Sequence, residues 1–387
     1  MNPSKITICG GGNGAQTLAP IAALNLGCDV DLYAPLGDEA ERLRAGMAAG
    51  DGLEITGAVR ARARLHQVSA NAAEVIPGSQ VVLLVLPAFA HEATLWQIAP
   101  FLERGASVCA IPARGGFDYC AAHVLREAGR EDVAIAGLQT LPWACRVEEY
   151  GRRVHVLGVK QSVTAASRPA AESARVVPFL EQMMGLPVLP ASSLLSLTLA
   201  NTGQIIHPGI MYGLFAQWDG TFLEQAPLFY QGLDAAGAQV LEGLSRDIQA
   251  IRIRLGERLD LSAVEPLLDW LRRAYGDAIR DPATLHGAFV SNAAYAGLQA
   301  PVREVAPGRF VPDFSSRYLA EDVPFGLVPT RAIAGLAGVD TPVVDRVIAW
   351  AGGRLGRDYL GRDIMLARIP QKYGLATLNQ LVAFAAK

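Results

Sequence analysis

Asn201, Gln204 and His207 recur at every third position in an otherwise apolar stretch that ends at Pro208. On a helix, steps of about 100° put the three on one arc of roughly 120°. A polar stripe on a buried helix must find partners or line a wet cavity. An imidazole there can both give and take a proton near neutral pH. The same pattern also fits a core histidine capping a carbonyl. Pro208 lacks an N–H and predicts a bend beside the histidine. A second cluster runs Arg317-Tyr318-Leu319-Ala320-Glu321-Asp322-Val323-Pro324. A guanidinium such as Arg317 offers a planar fork to a carboxylate. Asp322 is of the type that orients an imidazole and favours its protonated form. A charged run of this kind is equally an ordinary surface loop with local ion pairs. Together, the two clusters would transfer a proton beside an anionic substrate.

These residues need a framework, and the N-terminus announces one. Ile6-Thr7-Ile8-Cys9 reads as a buried parallel strand, Gly10-Gly11-Gly12-Asn13-Gly14-Ala15 follows at once, and residues 16–26 read as helix. This strand–turn–helix context is what a dinucleotide-binding turn requires. Gly10 permits the tight turn, and Gly12 leaves room for backbone to approach a pyrophosphate. Ala15 lets the helix pack close to the sheet, and the N–H groups at the helix start face the phosphates. Asn13 and Gly14 complete the loop. Strand patterns continue at 29–34, 53–56, 81–86, 107–111, 133–138 and 152–163, with helical patterns at 91–104 and 119–128 between them. The alternation predicts a doubly wound, Rossmann-type parallel sheet. Its carboxyl edge would carry Pro87-Ala88 and Arg114-Gly115-Gly116 toward a nicotinamide, with Pro87 the named candidate; each is also readable as a plain strand-to-helix turn.

Beyond Pro187 and Pro190 strand patterns nearly vanish. Helices are expected at 192–215, 232–256, 261–273, 329–338, 342–352 and 377–386, and a long loop at 295–315, where Pro301, Pro307 and Pro312 fall. The expected division is a dinucleotide-binding domain over 1–187 and an all-α substrate domain over 188–387. A length of 387 residues suits two domains. With 51% apolar and 18% charged residues the chain is a well-buried globular one. A net charge of −3 and the lack of a basic tract argue against nucleic acid as a partner. The longest apolar run, 81–90, is too short to span a bilayer. Five scattered cysteines without a CxxC pair argue for a reduced, cytoplasmic protein with no structural metal. An NAD-specific fold would place a carboxylate at the end of the second strand, where Ala34 stands. Arg42 and Arg44 follow on the next helix, which tilts the cofactor toward NADP over NAD.

Taken together, these residues resemble the octopine/nopaline (opine) dehydrogenase family. The resemblance covers residues 10 to about 330: the glycine loop, Leu141-Pro142-Trp143-Ala144-Cys145-Arg146, the Asn201 to Pro208 helix, and Arg317 with Asp322-Val323-Pro324. It implies reductive condensation of an amino acid with a 2-oxo acid, using NADH or NADPH. By the same resemblance His207 donates and accepts the proton and Asp322 is its partner. Arg317 and Asn201 bind substrate, and Cys145 lines the amino-acid pocket. A homodimer is an open expectation. Ketopantoate-reductase-like and hydroxyacid or glycerol-phosphate dehydrogenases are the rival enzymes, but these use a lysine early in the second domain. Here that domain has only Lys372 and Lys387, near its end. A nucleotide-sensing regulator would need no paired His207 and Asp322.

Overall fold

Helix α1 (Asn13–Leu26) is buried at eight consecutive positions, 15–22. A helix covered on one face alone cannot achieve that. The explanation is a sheet on each side. The computed structural model describes residues 3–387 and divides them into a unit of residues 3–197 with Ala385–Lys387, and a unit Thr198–Phe384. Strands of the first unit, in chain order, are β1 (Lys5–Cys9), β2 (Asp29–Tyr33), β3 (Leu53–Gly57), β4 (Ala61–Ala63), β5 (Gln67–Ser69) and β6 (Val81–Leu84), then β7 (Ser107–Ala110), β8 (Ala134–Leu138), β9 (Trp143–Glu149), β10 (Arg153–Val159), β11 (Val163–Arg168) and β12 (Val188–Pro190). Its longer helices after α1 are α2 (Glu39–Ala48), α3 (Ala72–Val75), α4 (Ala88–Ile98), α5 (Phe117–Glu127) and α6 (Ser173–Met184).

The main sheet has the order β12-β11-β8-β7-β6-β1-β2-β5. All its neighbours are parallel except β11 against β8. From β1 the chain winds first to β2 and then crosses back to β6, so the switch point lies beside β1 and its glycine turn. The expected doubly wound sheet is therefore present. The second sheet, β4-β3-β10-β9, lies on the other side of α1 and was not expected. The strand expected over 53–56 belongs to it rather than to the main sheet. The strand expected over 152–163 is β10, which belongs to the second sheet; β11, which opens only at Val163 and belongs to the main sheet, was not expected. The half-exposed strands β9 and β10 bury one face only, against α1, so their patterns were not those of the buried parallel strands.

Gln16 ties this arrangement together. It has no solvent exposure; its amide donates to the Gly11 carbonyl at 2.7 Å and its carbonyl accepts the Gly151 N–H at 2.9 Å. Asn13 accepts the Val147 N–H at 2.8 Å. The glycine turn is thus hydrogen-bonded through side chains to the β9–β10 hairpin.

The second unit is helical: α7 (Leu194–Leu199) leads into it, followed by α8 (Thr202–Phe215), α9 (Ala235–Gly256), α10 (Leu267–Tyr275), α11 (Leu285–Val290), α12 (Arg317–Ala320), α13 (Val328–Ala337), α14 (Pro342–Leu355) and α15 (Leu378–Ala385). The helix expected over 192–215 is broken at Ala200-Asn201. The helix expected over 261–273 starts only after Pro266, its N-cap, because a proline disfavours helical backbone at the residue before it. The loop expected over 295–315 holds a hairpin, β13 (Val302–Ala306) with β14 (Arg309–Pro312), turning at Pro307-Gly308. Gly308 has φ +69°, so Pro-Gly here closes a hairpin turn. The unit is therefore helical with one exposed hairpin rather than wholly α.

Replacing Gln16 by Leu leaves a buried N–H and a buried carbonyl unanswered. The substitution should cost about 1–3 kcal/mol, read as a lowered midpoint of urea unfolding. An unchanged midpoint would mean that water replaces the side chain.

Candidate active site

At the carboxyl end of β1 the glycines divide their work. Gly10 has φ +134°, and a Cβ there would lie 2.5 Å from the Val85 carbonyl oxygen. It is the close-approach position. A Cβ on Gly14 would lie 3.0 Å from Val85 and 3.1 Å from Leu141, so it is a packing position. A Cβ on Gly12 would meet nothing within 4 Å. Gly12 is the residue preceding α1, and its outer side is the open one where the first helical N–H groups emerge. Ala15 is fully buried against the sheet. This cradle fits a pyrophosphate, as P-loop-like and dinucleotide turns do at helix starts. Because β1, β6 and β7 are parallel neighbours, Pro87 and Arg114-Gly115-Gly116 end on the same edge. Pro87 immediately precedes α4, with φ −58° and ψ 146°.

The acidic position expected at the end of β2 is indeed empty of a carboxylate, since Ala34 is apolar and fully buried. A carboxylate reaches the glycine turn from elsewhere. A Cβ on Gly11 would lie 2.7 Å from Glu39 Oε2 and 2.7 Å from the Tyr150 hydroxyl. Burial pushes the Glu39 carboxyl up. Glu39, first residue of α2, was missed because it stands five residues beyond the usual slot. Arg42 lies 4.1 Å over the Tyr150 ring and 3.6 Å from Asp38, while Arg44 donates to the Val68 carbonyl at 3.0 Å.

The second unit brings His207 and Asp322 together. Nδ1 of His207 is 2.7 Å from Asp322 Oδ2; the carboxylate has no solvent exposure and the imidazole 15%. They are 115 residues apart in sequence. Local structure explains the meeting. Asn201 accepts the Gly203 N–H at 3.1 Å and so caps α8. Gln204 donates back to the carbonyls of Thr198 at 3.0 Å and Leu199 at 3.4 Å, answering the orphan end of α7, and accepts from Thr330 at 2.8 Å. Of the expected polar stripe, then, only His207 meets an ionisable partner from a helical position. Asn201 is at the cap and Gln204 is a structural clamp. Asn201 keeps one group in reserve, for its side-chain amide nitrogen is buried without a hydrogen-bond partner. Helix α8 runs on through Pro208.

Asp322 follows α12 and opens a π-turn, Val323–Leu327, in which the Leu327 N–H reaches back to the Asp322 carbonyl at 3.0 Å. A Cβ on Gly326 would lie 2.6 Å from Cβ of Gln204, so only glycine lets the turn approach α8 this closely. Tyr318 stacks on the imidazole, 4.1 Å between centroids and 14° between planes. Arg317 is 65% exposed, with Nε 3.8 Å from the buried Glu321 carboxylate. Cys145, on β9 in the first unit, is a buried core residue beside Thr17, and burial pushes its thiol up. The structure places it in the core of the first unit rather than at a pocket surface.

A parallel sheet with a glycine turn at its switch point, in a chain that also carries a buried histidine–aspartate pair, suits an NAD(P)-dependent oxidoreductase, and the relatives of the chain are of that class. Comparison with known proteins narrows the class. Residues 190–355 match the family described as "NAD/NADP octopine/nopaline dehydrogenase, alpha-helical domain". An opine dehydrogenase of Haliotis discus hannai is 36% identical over 98% of this chain and 98% of its own. A tauropine dehydrogenase of Arabella iricolor is 35% identical over 97% of this chain and 99% of its own. A solved octopine dehydrogenase, described with NADH and L-arginine, superposes with a TM-score of 0.87 at 32% identity, covering 98% of this chain and 97% of that one. The chain belongs to the octopine/nopaline (opine) dehydrogenase family. Its reaction is the NAD(P)H-dependent reductive condensation of an amino acid with a 2-oxo acid.

Gly12→Val places a branched side chain in open space, so the fold should persist while dinucleotide affinity falls roughly tenfold or more. Calorimetric titration with NADH checks this; unchanged affinity would remove the turn from the phosphate site.

Proposed function

We propose that His207 and Asp322 form the acid–base unit of this opine dehydrogenase. The single observation carrying this reading is the 2.7 Å contact between Nδ1 and a carboxylate with no solvent exposure. Asp322 fixes the tautomer by accepting from Nδ1, which leaves Nε2 as the working nitrogen. The amino group must lose a proton to attack the 2-oxo carbon. The carbinolamine oxygen must then leave as water, and the reduced nitrogen takes up one proton overall. An imidazole can serve each of these transfers. The bound nicotinamide supplies the hydride. Gly10, Gly12, Asn13, Gly14 and Ala15 form the phosphate cradle, and Pro87 stands on the nicotinamide side. Arg317, largely exposed, takes a substrate carboxylate, and the unanswered amide of Asn201 donates to the same substrate. Five free cysteines fit a reducing compartment such as the cytoplasm; among the described residues no helix is long and apolar enough to cross a membrane.

For the cofactor, we favour NADH over NADPH. Both arginines that could meet a 2′-phosphate are engaged, Arg42 with Tyr150 and Asp38 and Arg44 with the Val68 carbonyl. Glu39 and Asp38 would repel a phosphate, and in this reading Glu39 accepts from ribose hydroxyls. The solved relative described with NADH supports the same choice.

The assay is NADH and NADPH oxidation with a matrix of amino acids against pyruvate and 2-oxoglutarate. No turnover with any pair would sink the reading of the site. NADH should give the higher kcat/KM, and Glu39→Gln should narrow the ratio; a preference for NADPH in the unmodified enzyme would reverse the cofactor choice. With the pair so found, His207→Ala and Asp322→Ala should each lower kcat by roughly a hundredfold or more, the range of acid–base catalysis. The double mutant should be little worse than His207→Ala, because members of a unit are not additive. Fully additive losses would separate the two residues.

A further inference from the structure

The working nitrogen of His207 is not bare. Nε2 lies 3.5 Å from the hydroxyl of Tyr230, on the segment between α8 and α9. Tyr230 is held rigidly: its ring stacks on Tyr295 at 4.0 Å and 12°, and meets Phe229 edge-on at 4.8 Å. Its hydroxyl lies within electrostatic reach of Tyr318, the residue whose ring covers the imidazole. Phe229 closes the cage, 6.1 Å from the imidazole and 4.8 Å from Tyr318. The groups facing His207 are therefore Asp322 and Tyr318 from the α12 segment and Tyr230 from the loop, with Arg317 on α12 and Glu321 just after it.

We propose that Tyr230 is a positioning residue of the acid–base unit: its phenol oxygen accepts the Nε2 proton of His207 while its own O–H donates to Tyr318. The proposal rests on His207 being the acid–base group. The polar line then runs in one direction. Nδ1–H donates to Asp322, Nε2–H to Tyr230, and Tyr230 to Tyr318. Both imidazole protons are then answered. The Tyr230 hydroxyl is buried and pushed well above the ordinary phenol range, chiefly by that burial, so it stays neutral and competes as an acceptor without ever becoming a base. At 3.5 Å its hold is weak by hydrogen-bond standards. A substrate oxygen or nitrogen at normal distance would displace it and receive the proton. Tyr230 thus keeps Nε2–H aimed until substrate arrives.

The test is a pH titration of the histidine ring nitrogens by NMR in the full-length enzyme, with His207→Asn to assign the signal. Tyr230→Phe removes one oxygen and keeps the ring stack. Its His207 midpoint should move to lower pH by roughly half a unit, with NADH affinity unchanged. The alkaline limb of kcat in the reductive direction should move the same way. Tyr318→Phe keeps the ring over the imidazole but removes the acceptor of the Tyr230 proton. It should give a smaller shift of the same sign, and it carries the test if Tyr230→Phe does not fold. Tyr295→Phe, which keeps the ring stacked on Tyr230, should leave the midpoint in place. An unmoved midpoint in Tyr230→Phe, or an equal shift in Tyr295→Phe, would overturn the proposal. A His207→Asn enzyme with normal turnover would instead sink the acid–base reading, whatever the titration shows.

Discussion

A carboxylate with no exposure to water must be answered by a donor, and the Asp322 carboxylate is answered by Nδ1 of His207. Much of the second unit follows from that requirement. The chain breaks a helix at Asn201 so that α8 can start afresh and carry His207 at the right height. It uses Gln204 to satisfy the broken end, and it keeps Gly326 free of a side chain so that the π-turn after Asp322 can come close to α8. From the far end of the sequence, the Arg368 amide donates to the Pro324 carbonyl at 3.2 Å and its buried guanidinium lies 5.0 Å over Phe325. The carboxylate is thereby held on both sides of its turn.

The two halves of the chemistry are built from different materials. Phosphate binding in the first unit is assigned to backbone: N–H groups at a helix start, and glycines distinguished by what stands beside each one. Proton transfer in the second unit is assigned to side chains in an aromatic enclosure, where little water can compete for the imidazole. Backbone sites tolerate change in most neighbouring side chains. A caged imidazole depends on several rings at once.

That contrast also decides what could be read from residue order. The glycine turn, the buried strand at 81–84 and the alternation of strand and helix are local patterns, and the main sheet was legible from them. His207 and Asp322 were legible as types in a suggestive order, although no local rule shows that residues 115 positions apart meet. The second sheet was not legible, because its strands expose one face and pair across a long stretch of chain, β3 with β10. The break at Ala200-Asn201 hid inside an apolar run, since asparagine serves as readily in a polar stripe as in a cap. Glu39 escaped for a geometric reason: its carboxylate reaches Gly11 from the next helix rather than from the strand end. The aromatic cage around His207 comes from the loop before α9, from 289–295 and from α12, and no single stretch displays it.

The placement of α1 between two sheets has a consequence for dissecting the enzyme. A dinucleotide-binding half is commonly pictured as a portable module of one sheet and its flanking helices. Here Asn13 and Gln16 are anchored to Val147 and Gly151, on a hairpin more than 130 residues downstream. A fragment ending after β8 would contain every strand from β1 to the far side of the switch point, yet the phosphate turn would lose its outer wall and α1 would present a bare apolar face. The smallest piece able to hold its cofactor turn in this shape must extend through β10. In this chain the structural unit for the cofactor turn is therefore larger than the fold that names it.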